Sequence, residues 1–118
     1  MAENRQYNLE ERTECFGEEV IKFCKCLKID TISKSIISQL VRSSTSIGAN
    51  YCEANNASSK KDFKNKIFIC KKETHETKHW LRMMNQCYPE RKDELRRLWQ
   101  ESQELLMIFQ KIISSMKN

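Results

Sequence analysis

Apolar and small residues recur along this 118-residue chain in alternating steps of three and four. Leu9, Thr13, Phe16, Val20, Phe23 and Leu27 form the first such series. This is the spacing of a helix that turns one seam toward a bundle. Asn8-Leu-Glu-Glu11 has the form of a capping box and places the helix start there, predicting a first helix over about 8–28. Lys28-Ile-Asp30 reads as a turn, with Asp30 or Thr31 capping a second helix over 31–56. Ser33, Ile37, Leu40, Ser44, Ile47, Tyr51 and Ala54 form its seam, and Val41, Thr45, Gly48 and Cys52 add a stripe of small residues beside it. A glycine inside a helix costs about 1 kcal/mol relative to alanine. Gly48 therefore predicts close approach of a neighbouring backbone, the alternative being a glycine that is merely tolerated.

Asn55-Asn-Ala-Ser58 supplies the next turn, and Ser59 with Asp62 caps a third helix over 60–87. Its seam is Phe63, Ile67, Cys70, Thr74, Thr77, Leu81 and Met84. Pro89 suits the first turn of a fourth helix over 89–116. There Leu95, Leu98, Trp99, Ser102, Leu105, Leu106, Phe109, Ile112, Ile113 and Met116 form the apolar face. Four helices with short connections predict an all-α, antiparallel up-down-up-down four-helix bundle, one domain over residues 1–118.

Composition sharpens this picture. Two Gly and one Pro leave little to interrupt long helices. An apolar fraction of 39% implies a thin core, so self-association would bury more surface. The start Met-Ala-Glu-Asn-Arg-Gln-Tyr7 has no apolar signal core, and no run reaches membrane-spanning length. A cytoplasmic protein without a membrane partner is expected. The six cysteines (Cys15, Cys24, Cys26, Cys52, Cys70 and Cys87) contain no Cys-x-x-Cys pair and read as reduced core residues.

Charge is concentrated. Residues 58–82 carry eight Lys/Arg against three acids, an excess that equals the +5 of the whole chain. At about 100° per residue, Lys60, Lys61, Lys64, Lys71, Lys72, Lys78 and Arg82 share a broad face of the third helix with His75, His79 and Phe68. Lys66 falls off that face. A row of cations on a rigid helix suits phosphate, and Phe68 suits a base. The bland reading is a solvated lysine face with Phe68 in a subunit contact. Multiplication of the row in an oligomer favours nucleic acid, bound without sequence preference because no base-reading motif is present.

His75-Glu-Thr-Lys-His79 matches the H-E-x-x-H zinc pattern. No third ligand or strand-built cleft accompanies it, and neighbouring lysines repel a dication. No Gly-rich phosphate loop or nucleophile–base pair occurs either, so no catalytic residue, metal or cofactor is expected.

Arg42-Ser-Ser-Thr-Ser-Ile-Gly-Ala-Asn-Tyr-Cys-Glu-Ala54 mixes charges, hydroxyls and an amide with small apolar residues on one helix. Arg42, Ser46, Asn50 and Glu53 form a polar line, with Glu73 and Glu76 of the third helix as acids that can face it or an adjacent subunit. Arg42 is expected to pair with an acid, and Asn50 and Glu53 to set helix register or the angle between subunits. A partly wet flank without a special role is the alternative.

The segment Gln39–Ala54 resembles the signature of the bacterial four-helix-bundle proteins encoded in 23S rRNA intervening sequences. Asp62-Phe63 and Ile69-Cys-Lys-Lys-Glu-Thr-His-Glu-Thr-Lys-His-Trp-Leu81 look like that family's third helix, with Glu76 rather than the histidines carrying the likeness. Element order and spacing extend it over nearly the whole chain. The family pattern usually has Gly where Ala54 stands, which suggests a second helix that runs a little further. The resemblance implies a ring-like homo-oligomer, a pentamer in this family, with no enzymatic activity. A related branch serves as the accessory variability protein of diversity-generating retroelements, which implies RNA or DNA and a reverse transcriptase as partners; both branches stay open. The expected function is thus a non-enzymatic oligomeric bundle that binds nucleic acid or a ribonucleoprotein through the third helix. The alternative is a protein–protein scaffold without nucleic-acid binding.

Overall fold

Asn8 starts the first helix by accepting the Glu11 amide on its side-chain oxygen at 2.8 Å. This computed structural model describes residues 8–116, so the expected reading of Met1–Tyr7 lies outside it. Among the described residues, four α-helices follow one another: α1 (Leu9–Lys25), α2 (Thr31–Asn55), α3 (Lys60–Cys87) and α4 (Lys92–Ser115). No strand occurs among them.

Each boundary has a local cause. α1 stops three residues earlier than the periodicity suggests. The amides of Cys26 and Leu27 bond three residues back, to Phe23 and Cys24 at 3.2 Å, which tightens and ends the helix. Lys28 then gives its carbonyl to the Tyr88 phenol at 2.8 Å instead of to a further turn. Asp30 caps α2 by a reciprocal box, accepting the Ser33 amide at 2.8 Å while Ser33 Oγ accepts the Asp30 amide at 3.0 Å. Only Asn55 extends α2 past Ala54, and Asn56 takes up the Cys52 carbonyl with its side-chain amide at 2.8 Å. Ser59 Oγ accepts the Asp62 amide at 3.0 Å to begin α3. Pro89–Arg91 forms a separate 3-10 turn before α4, closed by the Arg91 amide on the Tyr88 carbonyl at 2.9 Å. The fourth helix proper therefore begins at Lys92 and not at Pro89.

Contacts are densest between α2 and α3, follow between α3 and α4 and between α1 and α2, and are sparse between α1 and α4. Phe16, Val20, Leu40, Ile47, Ile67, Met84, Leu98, Leu105 and Phe109 seal the centre, each at most 1% exposed. Between them sit Thr13, Ser33, Ser43, Ser44, Thr74, Thr77 and Ser102, all buried. Most of these hydroxyls return to a carbonyl of their own helix, such as Thr74 to Cys70 at 2.7 Å and Ser102 to Trp99 at 2.7 Å. Ser43 and Thr77 meet across α2 and α3 at 2.9 Å. Small side chains satisfied in this way let helices approach closely without stranding a polar atom.

Gly48 behaves as its position suggests. A Cβ there would lie 3.4 Å from the Thr13 carbonyl carbon of α1. All six cysteines are free, but only Cys24 and Cys70 are core residues: Cys26 is exposed, and Cys15, Cys52 and Cys87 are half-buried. Burial pushes the Cys24 thiol up to about 11 and the Cys70 thiol up to about 12. Cys70 also donates weakly to the Ile47 carbonyl at 3.6 Å. Among the described residues no helix is long and apolar enough to cross a membrane.

Candidate nucleic-acid interface

The basic row runs along α3 from Lys60 to Arg82, about 33 Å at 1.5 Å per residue. Lys60, Lys61, Lys72 and Arg82 are exposed, and Lys64 and Lys71 half-buried. None of these six is in an ion pair with a described residue. Lys66, which falls off the face, is paired: its Nζ donates to Glu53 Oε1 at 2.7 Å. Phe68 stands in the row 44% exposed, as a base-stacking residue or a contact residue must. His75 and His79 are exposed, and His79 meets Trp80 edge-on at 4.7 Å between ring centres. Among the described residues no group of three or more His, Cys, Asp or Glu is placed to hold a metal ion.

Lys78 departs from the row. Its ammonium donates to Gln103 Oε1 and lies 4.6 Å from the centre of the Trp99 ring, so α4 already engages it. Trp99 in turn is 38% exposed and does not enter the core as the stripe of α4 suggested. It sits at the margin of that stripe, where an apolar side chain meets solvent as readily as the interior.

The polar line of α2 resolves into separate contacts. Arg42 spans to α3, with Nη1 donating to Glu73 Oε1 at 3.2 Å and Nη2 to Glu76 Oε1 at 2.5 Å. These acids, Glu76 first, hold the guanidinium above its ordinary value. Arg42 Nε also reaches Gln39 at 3.1 Å. Asn50 bonds back to the Ser46 carbonyl of its own helix at 2.8 Å, and Glu53 goes to Lys66. Two independent clasps, Arg42 and Glu53, thus set α2 against α3. The polar line of Arg42, Ser46, Asn50 and Glu53 is therefore not one connected network.

Sequence reasoning missed a second cationic feature. Arg82 of α3 and Lys92 and Arg96 of α4 line one groove with Asn85, Trp99 and Gln100, over a floor of Leu81 and Leu95. The spacing of Lys92, Arg96 and Trp99 along one flank of α4 was its only signal in the sequence.

Four α-helices, with no strand among the described residues, place the chain in the class of small all-helical proteins. The chain belongs to the 23S rRNA-intervening sequence protein family, whose model matches residues 5–111. It is similar to a solved structure from Bacteroides thetaiotaomicron VPI-5482, described as a protein with unknown function from the S23 ribosomal protein family. The two are 28% identical, with a TM-score of 0.79, over 90% of this chain and 98% of that one. No curated protein matches this chain.

Proposed function

We propose that this protein is a non-enzymatic homo-oligomeric bundle that binds nucleic acid, or a ribonucleoprotein partner, through the basic face of α3. The observation that carries the reading is the row of Lys60, Lys61, Lys64, Lys71, Lys72 and Arg82, none of them offset by a described carboxylate. Two of the three acids of α3, Glu73 and Glu76, are directed to Arg42. Cations left free on one rigid helix release counterions when they meet phosphates. The S23 ribosomal protein family name of the Bacteroides structure fits an RNA-connected role.

Several finer features belong to this reading. The short connections favour antiparallel neighbours in an up-down-up-down order. The family resemblance favours a ring-like homopentamer in the cytoplasm, which would repeat the basic row around its rim. A retroelement reverse transcriptase is the protein partner that the related branch suggests.

Solution mass combined with an RNA and DNA shift assay at two salt concentrations tests the proposal. Engagement of six phosphates weakens binding about a thousandfold between 50 and 200 mM salt. The triple reversal Lys64→Glu, Lys71→Glu and Lys72→Glu is expected to abolish binding while leaving the mass unchanged. Salt-insensitive binding to a protein, with no affinity for RNA or DNA, would instead establish a scaffold. The exposed Ile32 (73%) and Met107 (57%) favour that second reading.

A further inference from the structure

Six arginines lie among the described residues, and they divide into two sets. Arg12, Arg42, Arg91 and Arg97 each hold a carboxylate within 3.3 Å. Arg82 and Arg96 hold none among the described residues, and both line the α3–α4 groove. Lys92 adds a third cation, and no acid lines the groove. Such a slot attracts a polyanion, and guanidinium forks match phosphate oxygens in pairs.

A flat apolar surface stands in the same place. Trp99 is 38% exposed and lines the groove, and Lys78 at 4.6 Å covers one face of its ring. Asn85 and Gln100 add amides that both donate and accept. The groove encloses about 560 Å³, in the range of small-ligand sites. Phosphate binding alone explains the cations but gives no use for an exposed indole beside them. Duplexes hide their base faces, whereas unpaired bases stack on aromatic side chains.

We propose that the α3–α4 groove is a single-strand subsite, in which an unpaired base stacks on Trp99 while Arg82, Arg96 and Lys92 hold the adjoining phosphates. This rests on the proposed nucleic-acid role of α3. It adds α4 to the contact surface and restricts the ligand to unpaired strands.

Trp80→Phe leaves Trp99 as the only tryptophan of the chain, which has two. The full-length variant is titrated with a ~12-nucleotide oligouridylate or oligothymidylate, a length within single-strand site sizes. A hairpin duplex and inorganic polyphosphate serve as comparisons. The single strands are expected to quench Trp99 emission, and polyphosphate to bind without quenching. Trp99→Ala is expected to weaken single-strand binding roughly 5- to 150-fold, and Trp99→Phe to restore most of it. Arg82→Gln with Arg96→Gln, which leaves the indole in place, is expected to weaken it as well. This pair carries the test together with Trp99→Phe should the alanine variant lose its helical circular dichroism.

Unmoved emission and unchanged affinity in the Trp99 and arginine variants would overturn the subsite. If the Lys64/Lys71/Lys72 reversal still abolished binding, the α3 reading would survive that result. Tighter binding of the duplex would also overturn it. So would an emission change that follows protein concentration without nucleic acid, which would mark a contact between copies. No oligonucleotide binding at low salt would sink both readings.

Discussion

Arg12 of α1 grips Glu101 of α4 with two hydrogen bonds, Nε to Oε2 at 2.8 Å and Nη2 to Oε1 at 2.9 Å. Glu104 takes a third at 2.6 Å. Both members of the Arg12–Glu101 pair are about 70% shielded from water, their side chains being 29% and 30% exposed. The Glu101 bond is the main cause that holds the Arg12 guanidinium above its ordinary value. Since α1 and α4 otherwise meet sparsely, this clasp closes the fourth side of the bundle.

Arg12→Ala should therefore lower stability by about 1–2 kcal/mol, as expected for a bidentate, partly buried pair. Arg97→Ala should stay within roughly 0.5 kcal/mol, because the Arg97–Glu19 pair is 66% and 50% exposed and 3.3 Å long. Urea unfolding of the two variants checks the contrast. Equal losses would show that the Arg12 clasp is not special.

The two glycines should respond differently to substitution. A Cβ on Gly17 would lie 3.6 Å from Thr45, an ordinary contact. Gly17→Ala should then raise stability by about 0.5–1 kcal/mol through helix propensity alone. Gly48 sits closer to its neighbour, at 3.4 Å from Thr13. Gly48→Leu should cost roughly 1–3 kcal/mol by forcing α1 and α2 apart. Thermal unfolding of the pair of variants separates the two effects.

Tyr88 ties the two turns at one end of the molecule together. Its phenol donates to the Lys28 carbonyl at 2.8 Å and lies 2.9 Å from Ser33 Oγ, both inside or beside the α1–α2 turn. Tyr88→Phe should cost about 1 kcal/mol with the helices intact. Hydrogen exchange at Ile29–Ser33 should rise more than at the centre of α2, and uniform exchange would contradict the latch.

Alkali should weaken the fold through Cys24 and Cys70. Their folded values, about 11 and about 12, stand above the ordinary thiol value of 9.0. The folded chain thus binds these protons more tightly than the unfolded chain. The contribution is whole below pH 9 and is lost as pH rises toward 11 and 12. Stability of the Cys24→Ala, Cys70→Ala double variant should fall less than that of the parent between about pH 8 and about pH 10. Near neutral pH a thiol reagent should modify the exposed Cys26 before either buried thiol.

Arg42→Ala should destabilise the α2–α3 pairing, since Glu73 is only 8% exposed and would lose its cation. Glu53→Ala leaves only the half-buried Lys66 without a partner and should matter less. Solution mass of both variants tests whether either clasp also governs assembly; an unchanged mass confines them to the single chain.

The seams, the caps and the four helices were legible in the sequence because each depends on residues a few positions apart. The period that places Phe16, Val20 and Phe23 on one side of α1 is local, as is the Ser33–Asp30 box. The basic face of α3 was legible for the same reason, since helix geometry sorts its lysines before any packing occurs. Other features depend on how separate helices rotate and slide against one another. Arg12 finds Glu101 at a separation of 89 residues, and Tyr88 finds Lys28 at 60. The sequence likewise could not show that Lys78 of α3 is held by Gln103 and Trp99 of α4, that Trp99 stays partly in solvent, or that Arg82 and Arg96 share a groove. Local periodicity determines which face of a helix is apolar, but only tertiary packing decides which edge of that face is covered.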